Sequence, residues 1–322
     1  MVAATPSSAS PAPAAEASAH LRLLVTMVFW GQMTPSFVLL LQVWDPFALS
    51  AARYVVAAPF MMLVLLAFRG SPMVPTWAEV PKLAALGIIG MGGLITCYAY
   101  GLAHSNPVTA IVVQTASPLT YTAIARFLYG EPVPSGIGTA LCLVIPGGLL
   151  LATPALMGEA MTVKGGEIFL IFGSACWAWY SLQCRRWLPH YHELRLTTWT
   201  MITAAPFLIG IFLVLWALGA TRLPAQVPPL YLNILLLWLV LTSTCLGIML
   251  WHSGVSRLGV ATAGLYFNIA PLVAMAISSA LGYVPTPLQL AGALFVLAGI
   301  GQLHVRRWLK ARRVRGQGAI RG

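Results

Sequence analysis

Ten apolar stretches, each long enough to cross a bilayer, fill the chain from Leu21 to Trp308 and leave no room for a soluble domain. In hydrocarbon every backbone N–H and C=O must be paired within its own segment or within a closed barrel, so continuous apolar runs of this length dictate helices. A β-barrel would show short segments of alternating hydrophobicity, and these runs are unbroken. Composition agrees: 59% of residues are hydrophobic and 8% are charged, too little polar surface for a soluble chain of 322 residues. The predicted class is an all-α integral membrane protein.

The predicted spans are 21–43, 47–68, 82–103, 107–128, 135–153, 165–188, 196–218, 230–256, 260–282 and 286–308. Residues 1–20 are mostly Ala, Ser and Pro with one Glu and no Lys or Arg, lack the pattern of a secretory signal, and read as a disordered tail. Residues 154–164 form the longest connection and join the two halves, 21–153 and 165–308. Residues 309–322 read as a basic cytoplasmic tail.

Charge sets the expected orientation. With both termini inside, the cytoplasmic segments carry Arg22, Arg69, Lys82, Arg126, Arg185, Arg186, Arg195, Arg257 and the seven basic residues from Arg306 onward, while the opposite side carries Lys164 and Arg222. Fifteen against two is a strong positive-inside bias. It predicts a multi-pass protein of the cell (inner) membrane with cytoplasmic termini. The run Arg306-Arg307-Trp308-Leu309-Lys310 then rests on anionic lipid headgroups rather than on nucleic acid. Membrane lipids and a small-molecule substrate are the expected partners.

The two halves resemble each other. Tyr98-Ala99-Tyr100-Gly101-Leu102, Thr109-Ala110, Pro118-Leu119 and Pro132 recur as Trp251-His252-Ser253-Gly254-Val255, Thr262-Ala263, Pro271-Leu272 and Pro285, all at one offset of 153 residues. Trp30-Gly31 and Trp177-Ala178 pair at an offset of 147. A five-helix unit ends on the side opposite its start, so the second copy inserts upside down. Such inverted repeats recur in secondary transporters, with the substrate site near the midplane between the halves.

These features resemble the drug/metabolite transporter superfamily, specifically its EamA-type members with ten spans in two five-helix repeats. The resemblance rests on Phe29-Trp30-Gly31, Pro46 with Arg53, Ala110 to Pro118 followed by Glu131, Gly165 to Trp177, and Ala263 to Pro271. One departure is Glu131, whose repeat mate is Val284, which argues against a symmetric gate. The resemblance implies ATP-independent export or exchange of small organic solutes, with amino acids, metabolites and amphipathic drugs among the substrates. The sequence itself carries no Walker A loop.

Mid-span polar and aromatic groups are the candidate substrate contacts, because they are costly in lipid unless they face protein or water. Gln114, Ser117, Pro118 and Tyr121 share one helical face of the fourth span, and Phe267, Asn268 and Pro271 lie together on the ninth. Pro118 and Pro271 are expected to kink their helices and to free a carbonyl one turn earlier. Trp30 and Trp177, with Tyr180 beyond it, lie too deep for an interfacial belt. Tyr98 and Trp251 occupy matched positions, and together these rings suit an amphipathic solute. Packing alone is the competing reading for each.

Arg53, within the second span, offers a cation to a substrate carboxylate or to a helix C-terminus inside the protein, or else snorkels outward or meets Asp45. His252 is the histidine placed to titrate inside the membrane, although a neutral hydrogen-bonded histidine is the commoner case. No Asp or Glu lies in mid-span, which disfavours a carboxylate proton switch and fits a facilitator or exchanger of neutral or zwitterionic solutes. Glycines 87, 90, 92 and 93 in the third span and 292, 299 and 301 in the tenth are expected to allow close helix contact. The five cysteines all fall within spans with no zinc spacing, and neither a cofactor nor a metal is implied. An intramembrane enzyme lacks any supporting motif, and a receptor needs no inverted halves. Export of amino acids or related metabolites is the leading expectation, with drugs or other metabolites as the alternative.

Overall fold

The computed structural model describes residues 13–68, 74–105, 107–153, 157 and 164–319, all helix or short connection, with no strand among them. The helical segments group into ten successive rods. α1 is Pro13–Gly31, continuing past Gln32 as Met33–Leu40; α2 is Pro46–Ala67; α3 is Val80–Ala103; α4 occupies 107–128. α5 is Ile137–Leu151, α6 Gly166–Trp187, α7 Glu193–Ala217, α8 Leu230–Leu258, α9 Val260–Ala280 and α10 Pro287–Ala319.

Six rods, α1, α2, α3, α7, α8 and α9, are long and apolar enough to cross a membrane. The other four fall short of that measure for visible reasons. α5 is short, and the apolar part of α10 ends at Gln302. α4 breaks at Ala116, and α6 carries Glu167 in its first turn with Arg185 and Arg186 in its last. The outward face of α6 is nonetheless apolar, with Ile168, Phe169, Ile171 and Phe172 exposed as a lipid-facing surface would be.

The ends of the chain correct two expectations. Helix α1 begins at Pro13, inside the stretch expected as a tail, and buries Ala19 and His20 against the core. Residues 1–12 lie outside the described residues, as does most of the 154–164 connection. Helix α10 runs on through the basic stretch to Ala319 rather than stopping at 308.

Helix boundaries follow local chemistry. Asp45 caps α2 by accepting from the Phe47 N–H at 2.9 Å, with Pro46 at the first helical position, where its missing donor costs nothing. Gly259 alone separates α8 from α9, at φ 79°, a backbone state that glycine adopts without steric cost.

Packing reproduces the repeat as an exchange. α1 packs on α8, and its counterpart α6 packs on α3; α2 packs on α7, α4 on α9 and α5 on α10. Three rods of the first half thus meet their own repeat mates, and the pair α1–α8 is matched by the pair of their mates, α6–α3, as a two-fold relation between the halves requires. Irregular turns also repeat. A π-helical turn at Leu86–Gly92 in α3 has a counterpart at Val240–Leu246 in α8, starting 154 residues later. The break at Ala116 before Pro118 corresponds to the 3-10 turn Phe267–Ile269 before Pro271. Each proline removes one donor from the helical ladder, and the backbone tightens at that point.

Small residues set the closest crossings. A methyl group on Gly292 would lie 2.5 Å from the Gly147 carbonyl oxygen, and one on Gly147 would lie 2.8 Å from that of Gly292. Gly87 and Gly90 likewise admit Thr203 and Tyr180. Gly301 departs from the expected pattern, for its missing methyl faces open space.

Candidate functional site

Where α1, α6, α8 and α9 converge, aromatic rings form one connected cluster. Trp251 of α8 is completely buried, with Trp30 at 5.4 Å, Trp177 at 5.9 Å and Phe267 at 5.0 Å between centroids. Trp30 also meets Trp177 edge-on at 5.8 Å and Phe267 at 5.2 Å. Tyr121 of α4 stacks on Phe267 at 5.3 Å, and Tyr180 leans on Trp177 at 5.0 Å. These are ordinary aromatic contact distances, each adding order to a rigid apolar wall.

The cluster lies where the halves exchange. Trp30 and Trp177 are repeat mates and touch each other. Thr115 and Asn268 are also mates, and the Asn268 side-chain amide donates to the Thr115 carbonyl at 3.4 Å. Residues related by a two-fold operation meet only near its axis. The backbone reason for the second contact is local: Leu119 N–H turns to the Ala116 carbonyl at the kink, leaving that of Thr115 without its usual helical donor.

Hydrogen bonds fix most of the polar edges. The Trp251 indole donates to Ser181 Oγ at 3.0 Å, and Ser181 donates to the Trp177 carbonyl at 2.8 Å. The Trp30 indole donates to the Ser243 carbonyl at 3.0 Å. Tyr180 Oη lies 2.8 Å from His252 Nε2 and 3.0 Å from Thr200 Oγ1. The Trp177 indole N–H is buried without a partner among the described residues. A buried donor left without an acceptor is costly.

The predicted site residues divide accordingly. Trp30, Tyr121, Trp177, Tyr180, Trp251, His252 and Phe267 come together, and Asn268 lies beside them on the axis. Pro118 and Pro271 sit at the irregular turns as expected. Gln114 is half-buried and makes no hydrogen bond among the described residues, and nothing joins it to the rings. Tyr98 is half-buried outside the ring contacts, with its hydroxyl 3.4 Å from Ser174 Oγ.

Arg53 neither snorkels nor meets Asp45. It is 9% exposed, its Nη2 donates to Thr244 Oγ1 at 2.7 Å, and its guanidinium lies 5.3 Å from the Phe37 ring centre. Asp45 accepts instead from Thr221 and from the cap. His252 is buried, with its Nε2 2.8 Å from Tyr180 Oη.

Sequence reasoning missed the polar side of α8. The π turn places Thr242, Ser243 and Thr244 in succession, all buried. Gln32 donates to Thr242 Oγ1 at 2.7 Å, and Ser243 Oγ donates to the Phe29 carbonyl at 2.5 Å. Three consecutive hydroxyl residues in the middle of an apolar span were the available signal.

A separate cavity of about 360 Å³ opens at the turns that follow α4 and α8, lined by Glu131, Pro132, Arg185, Arg257 and Gly259 among others. Glu131 lies 3.9 Å from Arg185 there. The aromatic rings themselves are in contact, so a solute reaching them from either end requires the rods to part.

A profile of the EamA-like transporter family matches residues 17–153 and 164–303, one copy in each half. An uncharacterized transporter of Bacillus subtilis, YyaM, is 26% identical over 53% of this chain and 56% of its own length. A WAT1-related chloroplastic protein of Arabidopsis thaliana is 24% identical over 59% of this chain and 46% of its own length. The chain therefore aligns with about half the length of these curated relatives. A protein known from its crystal structure, 19% identical, superposes with a TM-score of 0.75 over 91% of this chain and 99% of that one, a likeness of fold. With both halves matched and six rods built to cross a membrane, the chain is a multi-pass membrane protein that belongs to the EamA-like transporter family.

Proposed function

We propose that the protein is a secondary transporter that moves a small neutral or zwitterionic organic solute, an amino acid or related metabolite, across the cytoplasmic membrane. The observation that carries this reading is the aromatic cluster on the exchange axis with its unpaired Trp177 indole N–H. Rings of this kind bind an amphipathic solute by contact, and the indole donor orients it. Gln114, free and half-buried on α4, supplies a second polar contact once the halves separate.

Ten crossings with both termini cytoplasmic follow from the charge bias, and efflux from the family. Alternating access would proceed by rocking α1–α5 against α6–α10, so that each arrangement closes one end of the cluster. The cavity between the α4 and α8 turns lies on the side that carries Arg185 and Arg257, and in this reading it is the cytoplasmic vestibule. Relatives named as transporters support the class of activity. The rings by themselves accommodate amphipathic drugs equally well, which is the second reading.

The test is counterflow in proteoliposomes with labelled neutral amino acids, aromatic ones included. Uptake that requires unlabelled solute inside, and that is lost in Trp177→Ala, supports a carrier with its site at the cluster. Exchange in the wild type that survives both Trp177→Ala and Gln114→Ala places the site elsewhere. Absence of exchange with every amino acid, but exchange with lipophilic cations, selects the drug reading.

A further inference from the structure

Arg53 is a buried cation for which the described chain supplies no counter-charge. The sequence holds seven acidic residues. Six are described, and all six are engaged elsewhere. Glu16 lies 3.9 Å from His20, and Asp45 caps α2 and accepts from Thr221. Glu79 meets His190, Tyr191 and Arg195, and Glu131 meets Arg185. Glu167 accepts from the Lys164 and Gly165 N–H groups, and Glu193 lies 3.3 Å from His192. The seventh, Glu159, lies outside the described residues.

The guanidinium itself is only partly satisfied. One hydrogen bond to Thr244 and a ring face at Phe37 are its described contacts, and its Nε is buried without a partner. Taking a guanidinium out of water without an anion is expensive, and a chain retains such a charge when something pairs with it. The protein surrounds it, so lipid headgroups do not reach it.

Its neighbours are arranged to receive an anion. Thr244 follows Ser243 in the π turn, and the Ser243 carbonyl holds the Trp30 indole. The cation is thus one residue along α8 from the anchor of the aromatic cluster. Thr242 and Ser243 already donate to the Trp238 and Phe29 carbonyls, whereas Thr244 accepts from Arg53 and keeps its own hydroxyl proton to donate to a carboxylate oxygen. A π turn widens the helix at this point and is a common setting for a ligand contact.

We propose that Arg53, with the Thr244 hydroxyl, binds a single carboxylate of the transported solute while the aromatic cluster takes its apolar part. This deepens the transport reading and rests on it. It narrows the substrate class to zwitterions and organic monoanions and removes neutral solutes.

The experiment measures melting temperature of the purified full-length chain in an uncharged detergent at constant ionic strength. The probes are 3-phenylpropanoate, its neutral isostere 3-phenylpropanamide, and chloride. The expected result is a concentration-dependent rise with the carboxylate and a response to the amide weaker by about 10- to 100-fold, the range that one charge-assisted hydrogen-bonded pair supplies. Arg53→Gln should lose that preference. Thr244→Val, which leaves the cation in place, should weaken the response several-fold and covers the case in which Arg53→Gln does not fold.

Equal responses to acid and amide, no response to the acid, or a preference kept in both variants would overturn the proposal. A response to chloride that matches the carboxylate assigns the site to an inorganic anion and also overturns it. So does a carboxylate response that appears or strengthens only in Glu159→Gln, because the partner of Arg53 in the wild type would then be internal. Counterflow of the amide but not the acid by the wild-type chain would leave the transport reading standing and remove this one.

Discussion

Replacing Gly292 by alanine tests the packing that holds the two halves together. The added methyl would lie 2.5 Å from the Gly147 carbonyl oxygen, 2.8 Å from Leu150 Cβ and 2.8 Å from the Leu151 nitrogen. All three belong to the α5 backbone or its first side-chain carbon, so no rotamer change relieves them. Ordinary contact requires about 3.4 Å, and α5 and α10 must therefore separate by close to 1 Å along much of their crossing. Overpacking of this kind costs about 1–3 kcal/mol, while alanine regains about 1 kcal/mol of helix propensity over glycine. The expected net effect is a loss of up to about 2 kcal/mol. Gly301→Ala on the same helix is the internal control, because its methyl meets nothing within 4 Å and only the propensity gain remains. Unfolding in mixed detergent micelles, followed by tryptophan fluorescence, should rank Gly292→Ala below wild type and Gly301→Ala at or above it. If Gly292→Ala is as stable as Gly301→Ala, the close crossing of α5 on α10 is not a feature of the protein and the argument from small residues fails.

Two further outcomes follow from single residues. Burial raises the Glu79 carboxyl, but hydrogen bonds from the Thr76 N–H, His190 and Tyr191 outweigh it and bring its pKa from the usual 4.5 down to about 2. The stabilisation it gives is complete above pH 4.5 and lost as pH falls through 2, so the acid side of the wild-type stability profile should flatten in Glu79→Gln. Asn268→Leu leaves the Thr115 carbonyl without its side-chain donor and should cost about 1 kcal/mol in the same unfolding assay, the scale of a single interhelical hydrogen bond in a membrane protein.

The sequence carried the frame because the frame is periodic. Apolar length marked most of the helices, and the 153-residue offset marked α3–α5 against α8–α10. The kinks were legible from Pro118 and Pro271, since proline forbids one hydrogen bond wherever it falls in a helix. The end of α1 was not legible, because Ala-rich residues 13–20 fit a tail as well as a helix until α8 and α9 provide something to pack on. Side-chain partners were the other gap. Arg53 stood eight residues from Asp45, two helical turns apart, and only the packed structure shows that Thr244, 191 positions away, takes its place. Gln114 shared a helical face with Ser117 and Tyr121, and Tyr98 lay near the end of its span as the mate of Trp251, yet nothing in a helical pattern tells which neighbour a half-buried side chain will find.

The fold is symmetric in its helix packing and asymmetric in the polar groups around the aromatic cluster. Both π turns occupy equivalent places, but they are put to different use. Leu86–Gly92 is rich in glycine, and its Gly87 and Gly90 draw α7 and Tyr180 into close contact. Val240–Leu246 exchanges that closeness for three hydroxyl residues, one of which holds Arg53 and another the backbone of α1. Trp251 and His252 follow on the same rod, whereas their mates Tyr98 and Ala99 contribute no ring to the cluster. A two-fold frame needs only matched shapes to have two equivalent arrangements, but a solute with distinct ends needs distinct partners. Helix α8 carries the asymmetry, with Thr244, the acceptor of Arg53 from α2, at one end of its central stretch and His252 at the other.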